Sequence, residues 1–183
     1  MLERGGDFCG CGGKKSRSFE FSRSAYMFVP EIRELIHDFK YRGFRRLGLW
    51  LGSKMAECFS LYREFSGFDT IIAVPISASR LRERGYNQSL ILAEVLADSF
   101  GLRLERSALI KKKNTGPQAA LGRKERENNL KGAFIVDSAS SVKGKKIILI
   151  DDVATTLSTL NEASVSLMRA GASRIACYTL ARE

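Results

Sequence analysis

The 183-residue sequence predicts an α/β domain in which a parallel sheet is flanked by helices. Short β-branched and apolar runs alternate with segments whose apolar residues recur at helical spacing. One run, residues 147–150, is apolar throughout, as expected of a buried strand. Hydrophobic residues make up 44% of the chain and charged residues 27%, which is the ordinary balance of a folded protein. The length suits one hydrophobic core.

The N-terminal part predicts a tail followed by two helices. Residues 1–24 are rich in Gly, Ser, Lys and Arg and show no periodicity, so we place the domain at residues 25–183. Pro30 opens a run of helical spacing that Gly43 ends, and a second apolar stripe runs from Phe44 to Phe59. We expect these two helices to form a short cap.

The remaining elements follow from periodicity and turn residues. We expect, in order, a strand at 70–74 closed by Pro75, a basic loop at 76–86, a helix at 87–100 ended by Gly101, a weak strand at 108–110, a long charged segment at 111–132, strands at 133–136 and 146–150, a helix at 160–168 and a strand at 174–180. A charged segment as long as 111–132 usually has a function.

Charge predicts an anionic ligand. The formal net charge is +10, and residues 80–131 hold twelve Lys or Arg against six Asp or Glu. Either a phosphorylated small molecule or a nucleic acid would suit this segment, because both accept charge-assisted hydrogen bonds from clustered basic groups. Charge alone does not choose between them.

Other features exclude several classes of protein. No apolar run is long enough to span a bilayer and the N-terminus lacks a signal peptide's apolar stretch, so we predict a cytoplasmic location with reduced thiols. We expect Cys58 and Cys177 in the core and His37 exposed on a helix. The chain lacks the glycine-rich motifs that bind nucleoside triphosphates or dinucleotides, and it lacks G-x-S-x-G.

The segment most informative about chemistry spans residues 147–159. A buried strand passes through Asp151 and Asp152 into hydroxyl residues at the start of a helix. In open parallel sheets, ligands bind outside the carboxyl ends of the strands, where a helix N-terminus favours phosphate. Two carboxylates can accept hydrogen bonds from a vicinal diol or help to hold Mg²⁺. Alternatively, the carboxylates only end a strand, and Thr155 or Ser158 only caps a helix.

This segment resembles the ribose 5-phosphate signature of type I phosphoribosyltransferases. Further segments, VPISASRLRERGYNQ, GPQAALGRKERENNLKGAF, YTLAR and FKYRGFRRLG, are similar to the competence protein F (ComF) family. The resemblance covers residues 25–183. Members of that family join a small zinc-binding segment to a phosphoribosyltransferase-like domain.

The resemblance implies a set of site residues. They are Asp151 and Asp152 for the ribose diol and Mg²⁺; Ala154, Thr155, Thr156, Leu157, Ser158 and Thr159 for the 5-phosphate; Ser77, Ala78, Ser79, Arg80 and Arg84, in the loop at 76–84, for pyrophosphate; and Lys113, Gln118, Arg123 and Arg126 on a flexible hood that closes over substrate. The alternatives are a solvated basic turn for the pyrophosphate loop and a solvated basic helix for the hood.

Two departures from the family pattern matter. Many family loops have glycine where this chain has Leu157, and a branched side chain there would obstruct or reshape the phosphate pocket. The zinc segment has only Cys9 and Cys11, so a local four-thiolate site cannot form. We therefore expect no zinc and treat residues 1–24 as the remnant of that segment. The alternative is that Cys9 and Cys11 bind zinc shared with a second chain or with a distant ligand.

Two functional hypotheses remain. The first is a protein that binds 5-phosphoribosyl 1-diphosphate with Mg²⁺ and transfers the phosphoribosyl group to an acceptor that the sequence does not identify. The second is a non-catalytic module that uses the basic region, residues 80–131, to bind single-stranded DNA or a competence protein during DNA uptake. The sequence does not indicate the oligomeric state.

Overall fold

A computed structural model of the protein describes residues 17–112 and 130–183. The elements are β1 (Ser22–Met27), α1 (Pro30–Tyr41), α2 (Arg45–Phe59), β2 (Thr70–Ala73), α3 (Ala78–Arg84), α4 (Gln88–Phe100), β3 (Arg103–Leu104), β4 (Leu109–Lys111), β5 (Phe134–Val136), β6 (Lys146–Ala154), α5 (Ser158–Arg169) and β7 (Arg174–Arg182), with 3₁₀ turns at Arg63–Gly67 and Ala139–Ser141.

Five of the strands form one parallel sheet in the order β1-β7-β6-β2-β3. Side chains of β6 alternate between its two faces. Ile148 and Ile150 share a core with residues of α1, α2 and α4, whereas Ile147 and Leu149 share one with residues of α5. The sheet is therefore covered by helices on both faces, which confirms the predicted fold class.

Strand β1 was missed by the sequence analysis, and the predicted domain boundary after residue 24 falls inside it. Its sequence, SRSAYM, is polar and gave no strand signal. The segment forms a strand because it pairs with β7. The pairing also satisfies its buried polar groups, since Ser24 Oγ lies 2.7 Å from Thr179 Oγ1 and both hydroxyls are buried. The edge strand is thus specified by its neighbour rather than by local propensity.

The segment predicted as a basic loop contains helix α3, so that expectation was wrong. Ser77 caps the helix by accepting a hydrogen bond from the Arg80 backbone amide, and Gly85 ends it in the left-handed conformation (φ 78°). Both residues are recognised capping signals. The high charge of the segment concealed them.

Strands β4 and β5 also differ from expectation, because they pair antiparallel in a separate two-stranded sheet and do not join the parallel one. The predicted positions of α1, α2, α4 and α5 are confirmed within a few residues. Cys58 and Cys177 are buried and free, and the His37 side chain is 61% exposed, as predicted. No helix within residues 17–112 and 130–183 is long and apolar enough to cross a bilayer.

Candidate functional site

A cavity of about 410 Å³ lies at the carboxyl ends of β2 and β6. Its walls come from α1, the β2–α3 connection, α3, α4, β4 and the loop between β6 and α5. Its charged lining residues are Lys40, Arg80, Arg84, Lys111, Asp151, Asp152 and Glu183. Four basic side chains thus face three acidic ones, an arrangement suited to a ligand that carries both hydroxyl and anionic groups.

Asp151 is held by two hydrogen bonds. Ser89 Oγ donates to its Oδ1 at 2.9 Å, and the backbone amide of Asp152 donates to the same oxygen at 2.9 Å. Burial and the neighbouring charge of Asp152 raise the pKa of Asp151 to about 7, although the Ser89 hydrogen bond acts in the opposite direction. Near neutral pH this carboxyl group is therefore present in both protonation states.

Asp152 has a different environment. Its Oδ1 accepts a hydrogen bond from the Val153 amide at 2.8 Å, and its Oδ2 lies 2.5 Å from Lys40 Nζ on α1. Burial alone would raise the pKa of Asp152, but the charge and hydrogen bond of Lys40 outweigh burial and hold the pKa below its usual value. The pair thus combines a firmly ionised carboxylate with one that titrates.

The residues predicted to bind the 5-phosphate lie beside this pair. Thr155 and Thr159 line the cavity, Thr156 Oγ1 lies 2.8 Å from Ser158 Oγ, and Ala154 is buried at the end of β6. Leu157 is the N-cap of α5, and its side chain cannot bond the first-turn amides. The Ser158 amide donates to Thr156 Oγ1 at 3.5 Å, and helix N-termini of this kind can bind phosphate through their first-turn amides.

Leu157, which was expected to obstruct or reshape the phosphate pocket, is not among the residues that line the cavity. The residue adopts the left-handed conformation (φ 62°) that usually requires glycine. Its side chain is buried in the core beneath α5. The backbone therefore follows the course expected of glycine while the side chain packs in the core and not in the cavity.

The residues predicted to bind pyrophosphate are divided. Arg80 and Arg84 line the cavity, whereas Ser77 is buried as a helix cap and lies 3.0 Å, Oγ to Oγ, from Ser79. Ala78 is the first residue of α3. Arg84 donates to Gln88 Oε1 at 3.1 Å and to the Tyr41 hydroxyl at 3.2 Å.

Comparison with known proteins identifies the family of this chain. The family described as "Phosphoribosyl transferase domain" matches residues 87–183. Competence protein ComFC of Bacillus subtilis is 31% identical over 166 residues, which are 88% of this chain and 64% of that protein. "DNA utilization protein YhgH" of Escherichia coli O6:H1 is 30% identical over 158 residues, 85% of this chain and 69% of that protein. The chain belongs to the ComF family and contains a phosphoribosyltransferase-like domain.

Further relatives and solved structures are similar over smaller shares or at lower identity. Competence protein F of Haemophilus influenzae is 36% identical over 115 residues, 62% of this chain and 50% of that protein. The structure of glutamine phosphoribosylpyrophosphate amidotransferase from B. subtilis aligns with 72% of this chain over 25% of its own length, with 20% sequence identity and a TM-score of 0.48. The structure of purine phosphoribosyltransferase from Pyrococcus horikoshii aligns with 73% of this chain over 83% of its own length, with 14% sequence identity and a TM-score of 0.43.

In this ComF-family chain, sequence reasoning missed five polar or charged residues that line the cavity: Lys40, Gln88, Ser89, Lys111 and Glu183. Lys40 lies in the FKYRG segment that carries the family resemblance, Gln88 is the last residue of the similar segment at 74–88, and Ser89 follows it. The resemblance of these segments to the family could have indicated the residues as site candidates. The sequence around Lys40 does not show, however, that α1 contacts the carboxylates. Burial and the charge of Arg80 lower the pKa of Lys111.

Several predicted residues lie outside the described ranges. They are the hood residues Lys113, Gln118, Arg123 and Arg126, and the zinc candidates Cys9 and Cys11. Within residues 17–112 and 130–183 no group of three or more His, Cys, Asp or Glu side chains could hold a metal ion. The two adjacent carboxylates still match the way Mg²⁺ is usually held, by one or two carboxylates together with the phosphates of its ligand.

Proposed function

We propose that this ComF-family domain binds 5-phosphoribosyl 1-diphosphate together with Mg²⁺. The observation that carries the proposal is the partly buried pair Asp151 and Asp152 at the carboxyl edge of the sheet, in a cavity that is also lined by basic side chains and by residues at the start of α5. The carboxylates would accept hydrogen bonds from the two ribose hydroxyls. The first-turn amides of α5, with Thr155 and Thr159, would bind the 5-phosphate.

Transfer of the phosphoribosyl group to an acceptor is the second step of the proposal. Bond breaking at the ribose carbon leaves negative charge on pyrophosphate, which Arg80, Arg84 and Lys111 would stabilise. Bound Mg²⁺ would supply further stabilisation of that charge. Asp151 and Asp152 would hold the ribose in place, so the reaction needs no covalent nucleophile on the protein. The acceptor is not proposed.

Calorimetric titration with 5-phosphoribosyl 1-diphosphate and Mg²⁺ tests the binding step. The wild type should bind, and Asp152→Asn should weaken binding about tenfold or more, because a charged acceptor of hydrogen bonds is lost. Glu57→Gln is the matched control, since Glu57 is exposed on α2 and pairs with Lys54 on the same helix. A wild type that does not bind this ligand would sink the proposal.

A second candidate function is a non-catalytic module that binds single-stranded DNA. Two relatives carry names that refer to DNA utilization and competence. The chain also has an exposed surface, here called the α1–α2 surface, on which arginines alternate with aromatic rings. It consists of Tyr41, Arg42, Phe44, Arg45, Arg46 and Trp50, all exposed. Bases can stack on aromatic rings while arginines meet the phosphates.

This surface differs from the sequence hypothesis, which placed DNA on residues 80–131, a range only partly within the described residues. Fluorescence anisotropy with a labelled oligothymidine tests the candidate. Binding should fall steeply with salt, weaken in Trp50→Ala and Arg46→Ala, and persist in Asp152→Asn. Arg169→Ala, at an exposed position on α5, is the control. Binding that is equal in all these variants would exclude the α1–α2 surface.

A further inference from the structure

Helix α1 reaches the ligand cavity at its last turn. Lys40 Nζ contacts Asp152 Oδ2 at 2.5 Å, and the next residue, Tyr41, receives a hydrogen bond from Arg84. The guanidinium of Arg84 also lies 5.0 Å from the centre of the Tyr41 ring. On the preceding residue, the Phe39 carbonyl accepts a hydrogen bond from the Tyr86 hydroxyl. Three consecutive residues thus fix α1 to the site.

This wall of the cavity contains more hydrogen-bond donors than acceptors. An ammonium group has three donors, and the contact with Asp152 uses one of those on Lys40. Arg84 Nε and Gln88 Nε2 are buried and have no hydrogen-bond partner among the described residues. Each buried donor without an acceptor is costly, so a ligand that supplies acceptors here gains affinity.

The positive charges on this wall favour an anionic ligand. Asp152 pairs directly with Lys40, whereas Arg84 donates its hydrogen bonds to the neutral groups of Gln88 and Tyr41 and acts on Asp152 only through its charge. Gln88 is only 1% exposed, so its amide is held in place by packing rather than solvated. One ionised carboxylate, Asp152, thus faces the two cations Lys40 and Arg84. A diphosphate offers several acceptor oxygens and the additional negative charge that a neutral sugar lacks.

We propose that Lys40, Arg84 and Gln88 form the subsite for the diphosphate of the ligand, and that Asp152 places the Lys40 ammonium there. This inference rests on the proposed function and assigns to Lys40 and Gln88 a role that the sequence analysis gave only to residues 77–84. Asp152 then has two roles, as it accepts a ribose hydroxyl and orients the cation that meets the leaving group. Helix α1 becomes part of the binding site rather than a cap above it.

Titrations with inorganic pyrophosphate, ribose 5-phosphate and 5-phosphoribosyl 1-diphosphate, each with Mg²⁺, test the subsite. Lys40→Met should weaken pyrophosphate binding roughly tenfold to hundredfold, because a charge-assisted hydrogen bond is lost. Ribose 5-phosphate, which lacks the diphosphate, should lose less affinity. Lys40→Arg should restore part of the pyrophosphate affinity. Lys54→Met, on the exposed face of α2, is the control and should bind as the wild type does.

Gln88→Met is the second variant, since it keeps the side-chain volume and removes both the Nε2 donor and the Oε1 atom that accepts from Arg84. It should also weaken pyrophosphate more than ribose 5-phosphate. If both Lys40→Met and Gln88→Met bind pyrophosphate as the wild type does, the subsite is refuted and the proposed function stands. If the wild type binds ribose 5-phosphate but not pyrophosphate, the subsite is also refuted. A wild type that binds none of the three ligands refutes both proposals.

Discussion

Ser89 Oγ donates a hydrogen bond to Asp151 Oδ1 at 2.9 Å, which joins the first turn of α4 to the carboxyl end of β6. The carboxyl group is thereby oriented by two partners, the serine and the backbone amide of Asp152. Burial and the Asp152 charge still raise its pKa to about 7. Because this pKa lies near neutral pH, the protonation of Asp151 can be followed under conditions in which the protein is folded.

Stability should fall as pH rises from about 4 to 7. The folded-state pKa of Asp151 is raised to about 7 from 3.8, so the folded protein binds more protons than the unfolded chain in this window. The contribution is present below pH 4 and is lost as pH rises through 7, with a limit of about 4 kcal/mol. Chemical denaturation across this pH range measures it.

Asp151→Asn separates this effect from other titrations, because the amide keeps an acceptor for Ser89 and cannot ionise. The variant should lose most of the slope between pH 4 and 7 and should be more stable than the wild type at pH 8. Asp152 does not mask the effect, since its lowered pKa places its titration below this window. Asp98→Asn, exposed on α4, should keep the wild-type slope. An unchanged slope in Asp151→Asn would contradict the prediction.

Ser89→Ala should raise the pKa of Asp151 above its wild-type value, because the serine hydrogen bond favours the ionised form. Carboxyl carbon NMR with isotopically labelled aspartate follows this titration directly. Ser99→Ala is the matched control, since the Ser99 hydroxyl bonds only its own helix, at the Val95 carbonyl. A pKa equal to that of the wild type in Ser89→Ala would show that the hydrogen bond does not favour the carboxylate.

The sequence predicted those parts of the fold that carry local signals. The apolar run at 147–150 and the helical spacing of α1, α2, α4 and α5 are visible without a partner, because burial patterns follow the period of each element. Strand β1 is polar and depends on β7, so no local pattern reveals it. Helix α3 is short and highly charged, and only its capping residues, Ser77 and Gly85, indicate it.

The candidate site divides in the same way. Asp151 and Asp152 are adjacent in sequence and follow a buried strand, so their position at the sheet edge could be predicted. Lys40 lies far away in sequence and reaches Asp152 only because α1 packs on the same core as β6. For Leu157 the sequence alone is misleading. A leucine in place of glycine suggests an obstructed pocket, but its side chain is buried in the core. Contacts set by tertiary packing carry no sequence period.

Leu157→Gly should destabilise the protein by about 1–3 kcal/mol. Removing the side chain relieves a left-handed strain worth roughly 1–2 kcal/mol, but it also removes a leucine from a packed core, which costs about 2–5 kcal/mol. Leu157→Ala keeps the strain and loses the packing, so it should be less stable than Leu157→Gly. Urea denaturation of both variants measures the difference. If the alanine variant is the more stable one, the strain is not significant.

Gly48→Ala should destabilise the protein by about 1–3 kcal/mol even though alanine favours helices, because the added methyl group would lie 2.6 Å from Phe39 Cζ and 3.1 Å from Ile91 Cγ2. Phe39 precedes Lys40 on α1, so a displaced ring should also weaken the Lys40–Asp152 ion pair. Thermal denaturation and pyrophosphate titration of the variant measure the two effects.

A double-mutant cycle with Phe39→Leu identifies the cause, because a smaller side chain makes room for the methyl group. Phe39→Leu should therefore reduce the cost of Gly48→Ala. Gly52→Ala is the matched control on the same helix, since its methyl group would lie 2.9 Å from Val95 Cβ on α4. Phe39→Leu should leave the cost of Gly52→Ala unchanged. Equal rescue of both glycine variants would mean that α2 relaxes as a whole and that Gly48 has no specific contact with Phe39.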